Sequence, residues 1–346
     1  MTGVNRIMSI RSEQGEPSAS RRSSSEYPES LDSPFSQEDA QELAAFLTTP
    51  PVLGERWCES MSPPPTLPPE VLGRPLASLP ESKRDLIGLV IWPHQLDWPL
   101  AHLIENQKPY TQHLNAGIEA AAADLRVGQF PTLLDLWKRA RHIRYQAPTE
   151  VNRKFLSSRH PSEAGWLANP AFTPLLARYT YLFDRVRALS DYRPTDDSLP
   201  PRKGWLVDNR GQAKEVGLTA FHLRPFIECP ILQRRNVPGT LPQISHTPTE
   251  ALDAVLNHAE ALYRQALTTP NDAQFEEDAA RLYWWLAQAM PDERGSAAKT
   301  EICFRTLYAA RGLYCPIWKA GVSADIEAML RHEEEWMAEY RALQRN

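Results

Sequence analysis

The sequence predicts a mainly α-helical protein with a small β-hairpin. Apolar residues recur at helical spacing over most of the chain from about residue 109 onward, and several of these segments begin at a recognisable N-cap. One pair of short segments, 204–207 and 214–216, flanks the turn sequence Asp208-Asn209-Arg210-Gly211 and predicts a hairpin, which we expect to be the only sheet of note. At 346 residues, 42% of them hydrophobic, the chain can bury a full core.

Composition divides the chain into three segments. Residues 1–35 are rich in Ser, Glu and Arg and carry too little apolar surface to fold, which predicts a disordered tail. Residues 36–82 contain a short helical pattern and then a Pro-dominated stretch, Met61 to Pro80, which favours polyproline II and is typical of a semi-rigid linker. The folded body is predicted to span residues 83–346.

The helices of the body are predicted from apolar periodicity and from their starting residues. Thr173-Pro174 has the pattern of an N-cap followed by Pro at the first helical position, with Leu175, Tyr179, Leu182, Val186 and Leu189 as its buried stripe. The other predicted helices are 109–126, 131–145 with Pro131 in its first turn, one opened by the capping box Thr247-Pro248-Thr249-Glu250, one opened by Asn271, one capped by Ser296 and running to Gly312, and a last helix after Ser323.

Charge and motif content exclude several function classes. A net charge of −5 and a pI near 6.0 lack the basic footprint of a nucleic-acid binder. The four cysteines, at positions 58, 229, 303 and 315, form no CxxC pair and no Cys/His spacing suited to zinc, so we expect free buried thiols. The Walker A, Rossmann, kinase, GxSxG and HExxH signatures are absent, and without an Asp-x-Asp motif a transferase here is expected to work without a metal.

The stretch Leu282 to Cys303 carries the clearest candidate for a binding site. Its loop, Pro291 to Ser296, places Arg294 and Gly295 at a helix N-terminus, where free backbone N–H groups favour an anion, and Lys299 adds a second cation one turn later. On spacing alone this is either an ordinary capped helix or a cradle for a phosphate or diphosphate.

Other polar residues also lie at or near predicted helix starts. Thr173, His246, Arg294 and Asp325 are each within two residues of an N-cap, and helix N-termini that converge on one cleft would create positive potential there. Judged singly, Thr173 is explained as a simple cap, Asp325 as a first-turn carboxylate and His246 as a structural histidine.

A resemblance to a known family makes a shared functional role for these four residues more plausible than their separate structural explanations. The sequence AMPDERGSAAKTE, followed by Asp325-Ile326-Glu327-Ala328-Met329-Leu330 and Glu333-Glu334-Glu335, resembles the AvrB/AvrC family of plant-pathogen effectors. The similarity is densest from Tyr263 to Leu343 and traceable back to about Leu86. It implies a two-lobed, mostly helical fold related to the Fido fold.

The resemblance also implies a nucleotide pocket lined by Thr173, His246, Arg294 and Asp325. Tyr179, six residues after the threonine, matches the family spacing. Gln233 matches a family pocket glutamine, although this chain is about four residues longer than the family pattern between Gln233 and His246.

Carried onto this chain, the resemblance implies a protein glycosyltransferase that takes rhamnose from UDP- or dTDP-rhamnose, or binds a nucleoside diphosphate, and modifies a plant immune regulator. Arg294, Lys299 and the backbone amides of Gly295, Ser296 and Ala297 suit the diphosphate. Asp325 is the candidate that orients or deprotonates the acceptor hydroxyl, with His246 as the alternative base. Thr173 and Tyr179 would shape the acceptor side, and Gln233 and His246 would contact the nucleotide.

The same resemblance gives expectations for location and partners. It favours a type III secretion signal in residues 1–35 and action in the host cytoplasm. Met1-Thr2-Gly3 places threonine where an N-myristoylation signal needs glycine, so no lipid anchor is supported and membrane association stays open. The alternative function is a non-catalytic adaptor that binds host kinases or immune regulators through the same cleft.

Overall fold

The computed structural model describes residues 64–77, 81–89, 91, 95–147, 172–175, 179, 181–207, 212–224, 242–291 and 295–345. The predicted tail (1–35), the short helix that follows it, Gln233 and Arg294 lie outside these residues. The helices are α1 (Pro69–Leu72), α2 (Glu81–Arg84), α3 (Leu100–Arg126), α4 (Leu133–Gln146), α5 (Tyr181–Arg187), α6 (Thr249–Thr268), α7 (Asp272–Ala289), α8 (Ser296–Ala310), α9 (Ala324–Leu330), α10 (Glu333–Glu339) and a 3₁₀ turn (Tyr340–Leu343). The strands are β1 (Phe172–Pro174), β2 (Ser198–Leu199), β3 (Lys203–Val207), β4 (Ala213–Gly217), β5 (Ala220–His222), β6 (Gln243–Ser245), β7 (Ile317–Trp318) and β8 (Gln344–Arg345).

The main core is built by helices α3, α4, α6, α7 and α8, and the mainly α prediction is confirmed. Asn271 caps α7 as predicted, its side chain accepting a hydrogen bond from the Gln274 N–H at 3.0 Å. The helix ends at Met290, which adopts the left-handed conformation (φ 43°) just before Pro291. The predicted core faces of both long helices are buried: Leu252, Val255, Ala259, Leu262 and Ala266 on α6, and Phe275, Ala279, Leu282 and Leu286 on α7.

A second, smaller core forms on an antiparallel sheet of order β1-β6-β5-β2. The expectation that the hairpin would be the only sheet of note is therefore wrong. The hairpin itself is confirmed, since β3 pairs with β4 in antiparallel register from Lys203↔Gly217 to Val207↔Ala213. The smaller core also contains residues of α5 and α9, among them Leu182, Val186, Ile326 and Met329.

The helix predicted from Thr173-Pro174 is not formed there. Thr173 lies in β1 opposite Ile244 of β6, and helix α5 begins only at Tyr181. A cap pattern is local, whereas this strand is stabilised by hydrogen bonds to residues about seventy positions later, which local spacing does not reveal. Proline is tolerated because β1 is an edge strand and Pro174 is its last residue. The burial predicted for the apolar residues of this segment is confirmed for Leu175 and Leu182, which lie in the second core.

Two predicted caps are replaced by neighbouring residues. Pro248 is the N-cap of α6, and the Thr247 hydroxyl instead donates to the Gln288 carbonyl at 2.7 Å. Gly295, with φ +74°, is the N-cap of α8, so Ser296 is the first helical residue rather than the cap.

Three helix boundaries also differ from the prediction. Helix α3 begins at Leu100, with Pro109 inside it, instead of starting near residue 109. Helix α4 is capped by Thr132, so Pro131 precedes the helix rather than lying in its first turn. The last predicted helix is divided into α9 and α10 at Arg331 and His332, where the backbone is extended.

Part of the predicted Pro-rich linker packs on the folded body. Leu67 and Val71 belong to the main core. Arg74 pairs with Asp272 at 2.6 Å, and the Arg126 guanidinium donates to the Arg74 carbonyl at 2.6 Å. Residues 67–74 therefore pack against the folded body, within the segment that was predicted to be a linker.

The structure also describes two of the four cysteines and the long helices. Cys303 and Cys315 are free and buried, as predicted, and burial raises the pKa of the Cys315 thiol to about 12. Among the helices that the structure describes, none combines the length and apolarity needed to span a membrane.

Candidate functional site

The first turns of α8 present a glycine and a buried lysine to helix α4. Gly295 is left-handed, and a Cβ placed on it would lie 3.6 Å from Lys299 Cε and 3.9 Å from Arg144 Cγ. The Lys299 side chain is buried, with its Nζ 5.5 Å from the centre of the Trp137 ring. The N-terminus of α8 therefore lies directly against two cationic side chains.

Arg141, Arg144 and Lys299 form what we call the basic cluster. Burial lowers the pKa of Lys299 well below its ordinary value, and the positive charges of Arg141 and Arg144 lower it further. The Arg144 guanidinium lies over the Tyr110 ring, 5.5 Å from its centre. Burial and the two arginine charges thus disfavour the charged form of Lys299, and an anion bound beside the three side chains would favour that form again.

The next residues of α8 carry the opposite charge. Glu301 accepts hydrogen bonds from Arg305 Nε at 2.6 Å and from the Trp318 indole at 3.0 Å. Burial raises the pKa of Tyr110, the Arg144 charge opposes this shift, and the Glu301 charge adds to it. Tyr110 is thus near both Arg144 of the basic cluster and Glu301, the first of two carboxylates considered for the site.

Asp325, the second carboxylate, lies in the first turn of α9 and is half-buried. Loss of hydration raises its pKa to about 6, against hydrogen bonds from the N–H groups of Ile326 and Asp325 itself, while the charges of Glu301 and Glu327 add to the rise. Asp325 is therefore mostly ionised at neutral pH, yet a much stronger base than a surface aspartate.

A buried ion-pair clamp fixes α9 against α5. Glu327, two residues after Asp325, accepts hydrogen bonds from both terminal nitrogens of Arg185, with the Nη2 bond at 2.6 Å, and from Arg331. Only 3% of the Glu327 side chain is exposed. Because Arg185 is one helical turn from Tyr181, the clamp also sets the position of that tyrosine beside Asp325.

A buried glutamine joins α9 to the sheet. The Gln288 side chain donates to the Ala328 carbonyl at 3.0 Å and accepts from the Thr219 N–H at 3.2 Å. Its backbone carbonyl accepts from the Thr247 hydroxyl at 2.7 Å. Gln288 at the end of α7 thus connects the residues next to β5 and β6 with the helix that carries Asp325.

The sequence profile of the AvrB/AvrC family, described as "Avirulence protein", matches residues 65–222 and 232–346, which is well over half of the chain. The chain belongs to the AvrB/AvrC family. Avirulence protein B of Pseudomonas savastanoi pv. glycinea is similar to it, with 29% identity over 283 residues that cover 75% of this chain and 85% of that protein. The resemblance inferred from the loop before α8 is confirmed.

This AvrB/AvrC family member brings several predicted site residues onto neighbouring elements. Gly295, Ser296 and Lys299 lie at the start of α8. Arg294 lies outside the described residues. Before it in the chain, Met290 packs on the second core, and directly after it, Gly295 contacts the basic cluster.

The remaining predicted residues belong to the second core or border it. Tyr179 is half-buried and packs on that core with Ile326, the neighbour of Asp325. Thr173 is on β1, and His246 directly follows β6, the strand that pairs with β1. His246 is buried, and loss of hydration lowers its pKa to about 4, so it is neutral at physiological pH. Gln233 lies outside the described residues.

Sequence reasoning missed Arg141, Arg144 and Glu301 as site residues. Arg141 and Arg144 come after the apolar residues of α4 in the sequence, and their pattern is typical of the solvated face of an amphipathic helix. Glu301 ends the stretch AMPDERGSAAKTE, so the resemblance contained a signal for it. Within the described ranges, no group of three or more His, Cys, Asp or Glu side chains could hold a metal ion.

Proposed function

We propose that this AvrB/AvrC family member is a type III effector that acts inside plant cells as a nucleotide-sugar-dependent protein glycosyltransferase. The observation that supports this most is the closeness of opposite charges: Lys299 interacts with Arg141 and Arg144, Tyr110 interacts with both Arg144 and Glu301, and Glu301 interacts with Asp325 on α9. A diphosphate needs the positive group, and an acceptor hydroxyl needs the negative one.

On the donor side, the leaving diphosphate would gain negative charge as its bond to the sugar breaks. Arg294, Lys299 and the amides after Gly295 would stabilise that charge, together with Arg141 and Arg144. Hydrogen bonds to charged groups contribute roughly 1.5–3 kcal/mol, so loss of one such contact is expected to cost about ten- to a hundredfold in kcat/KM.

On the acceptor side, a hydroxyl oxygen would bond to the sugar C1 while the bond from C1 to the diphosphate oxygen breaks. The hydroxyl proton would pass to Asp325, and the nucleoside diphosphate would leave as the anion. Asp325 suits this role because its pKa of about 6 lies near the working pH. Buried, neutral His246 is better suited to supporting the pocket wall than to proton transfer.

The finer parts of the proposal follow the family resemblance. Rhamnose from UDP- or dTDP-rhamnose is the proposed sugar, a plant immune regulator is the proposed acceptor, and Thr173 and Tyr179 shape the acceptor side. A relation to the Fido fold and delivery through residues 1–35 belong to the same proposal.

The test is intact-mass analysis of candidate host peptides after incubation with UDP- or dTDP-rhamnose. The wild type is expected to add one deoxyhexose per modified hydroxyl, and Asp325→Asn and Arg294→Ala to abolish or sharply reduce the addition. Asp253→Asn, on the exposed face of α6, is the matched control and keeps full activity. If the protein binds host proteins but modifies none of them with any donor of a broad panel, the adaptor hypothesis replaces the glycosyltransferase hypothesis.

A further inference from the structure

Tyr110 of α3 is an aromatic neighbour of the basic cluster. The Arg144 guanidinium lies over its ring, 5.5 Å from the ring centre, which is within the range of a cation–π interaction. Neither the helical pattern nor the family resemblance singled out this tyrosine. Burial raises the pKa of Tyr110, so the side chain is uncharged at neutral pH and attracts the guanidinium through its ring.

The ring reaches Arg144 because α3 and α4 approach closely at the preceding residue, Ile143. A Cβ placed on Gly117 of α3 would lie 2.6 Å from Ile143 Cγ2, so only glycine permits this approach. The His113 ring nitrogen Nε2 donates to the Ile143 carbonyl oxygen at 3.0 Å. Residues 110, 113 and 117 have the spacing of one helix face, and the face that fixes Ile143 therefore also presents Tyr110 to Arg144.

The Tyr110 ring is itself held in place by the main core. Gly88 has φ +73°, and a Cβ placed on it would lie 3.8 Å from Tyr110 Cε1 and 2.5 Å from Leu114 Cδ2. Although Tyr110 is half-buried, it packs against the residues of the main core. The backbone at Gly88 therefore limits how far the ring can move away from the guanidinium.

The other end of the Arg144 side chain lies against the start of α8. A Cβ placed on Gly295 would lie 3.9 Å from Arg144 Cγ, and the positive charge of Arg144 acts on Lys299 of the same helix. The stem of the arginine thus contacts α8 while the guanidinium lies over the Tyr110 ring. An arginine that is held in this way loses less conformational entropy when it binds an anion.

We propose that Tyr110 is a positioning residue for the diphosphate, and that its ring holds the Arg144 guanidinium beside the start of α8. This inference rests on the proposed function and adds a residue that acts through Arg144. The ring carries the role, rather than the hydroxyl, because the face of the ring attracts the cation. The competing role, stacking of the nucleobase on Tyr110, would require the base to share the ring with Arg144.

Calorimetry with UDP, dTDP and inorganic pyrophosphate separates these roles. Tyr110→Leu removes the ring and is expected to weaken each ligand that binds the wild type by about three- to tenfold, including pyrophosphate. Tyr110→Phe keeps the ring and should stay within about twofold of the wild type. A loss confined to the nucleotides would identify a nucleobase contact, and a Phe variant as weak as the Leu variant would identify the hydroxyl; either result overturns the proposal.

A double-mutant cycle shows whether Tyr110 acts through Arg144. In an Arg144→Ala background, Tyr110→Leu should weaken pyrophosphate no further, whereas a purely structural effect would add its full loss again and overturn the proposal. Tyr110→Met, which keeps more of the side-chain length, should give the same result and replaces the Leu variant if that variant does not fold.

Phe183→Leu is the matched control for both measurements. It removes a ring that lies 5.9 Å from the Arg187 guanidinium, in the second core, and should leave pyrophosphate binding unchanged. An equal loss in this variant would contradict a role specific to Tyr110. A wild type that binds none of the three ligands overturns the proposed function together with this inference, whereas a wild type that binds them without any loss in Tyr110→Leu overturns the positioning role alone.

Discussion

Glu327→Gln removes the charge at the centre of the clamp that positions Asp325. The Glu327 side chain is 3% exposed and forms ion pairs with two arginines, Arg185 and Arg331, whose side chains are 37% and 16% exposed. Glutamine keeps the size of the side chain but offers one acceptor oxygen in place of two. The change therefore removes the counter-charge of Arg185 and leaves Arg331 with the more exposed Glu339, while altering packing very little.

The expected cost follows from burial on the two sides of the pair. Removing one partner of a fully buried ion pair costs about 3–5 kcal/mol, but both arginines here keep some contact with water, so we expect about 2 kcal/mol. Burial by itself would raise the pKa of Glu327, but hydrogen bonds and charge from Arg185, then Arg331, hold it below its ordinary value. A carboxylate of this kind stabilises the fold above its unfolded pKa, and that contribution is lost as the pH falls through the folded value.

Urea unfolding at neutral pH and again near pH 3 measures both parts of this argument. Glu327→Gln should be less stable than wild type at neutral pH, and the difference should shrink in acid. Glu339→Gln is the matched control: it removes a 57% exposed partner of the same Arg331 and should cost less than about 1 kcal/mol. A Glu327→Gln protein as stable as the control, or a difference that persists near pH 3, would refute the reasoning.

Three further outcomes are expected. If Asp325 is the base, kcat/KM rises with pH through about 6 and then levels, whereas a limb near 4 would implicate His246. Asp325→Asn raises the free energy of unfolding at neutral pH by on the order of 1–3 kcal/mol but not near pH 3. The reason is that a carboxyl group whose pKa is higher in the folded protein destabilises the fold as the pH rises and the group ionises. Urea unfolding at both pH values checks this. Gly312→Ala destabilises by more than about 2 kcal/mol in the same assay, since Gly312 has φ +73° and a Cβ there would lie 2.6 Å from the Pro75 carbonyl oxygen. Gly128→Ala, at φ +78° with open space around it, should cost only about 1–2 kcal/mol, and equal losses would contradict the role of the close contact.

Elements with strong local signals were predicted well from sequence. Asn271 caps α7, and β3 and β4 pair on either side of the sequence that was predicted as the hairpin turn, because caps, turn sequences and periodicity are properties of neighbouring residues. The prediction of a helix start at Thr173 failed because strand β1 depends on pairing with β6, a long-range contact. The prediction that Thr247 belongs to a capping box failed because tertiary packing places its hydroxyl against the Gln288 carbonyl.

The candidate site shows the same division. Gly295 and Lys299 could be found in one stretch of sequence, and the resemblance added Asp325. Arg144 could not be found, because its importance comes from lying against the start of α8 in space. Glu301 was missed for a related reason, since only the packing of α8 and α9 brings its charge near Asp325.

The central claim is that the start of α8 holds a diphosphate within reach of Asp325, and a crystal structure of the protein grown with UDP, or with dTDP, tests it most directly. The account predicts a diphosphate in hydrogen-bond contact with Lys299 or with Arg141 or Arg144, at the Gly295 end of the helix. A diphosphate bound away from this cluster, or a protein to which neither nucleotide binds at millimolar concentration, would contradict it.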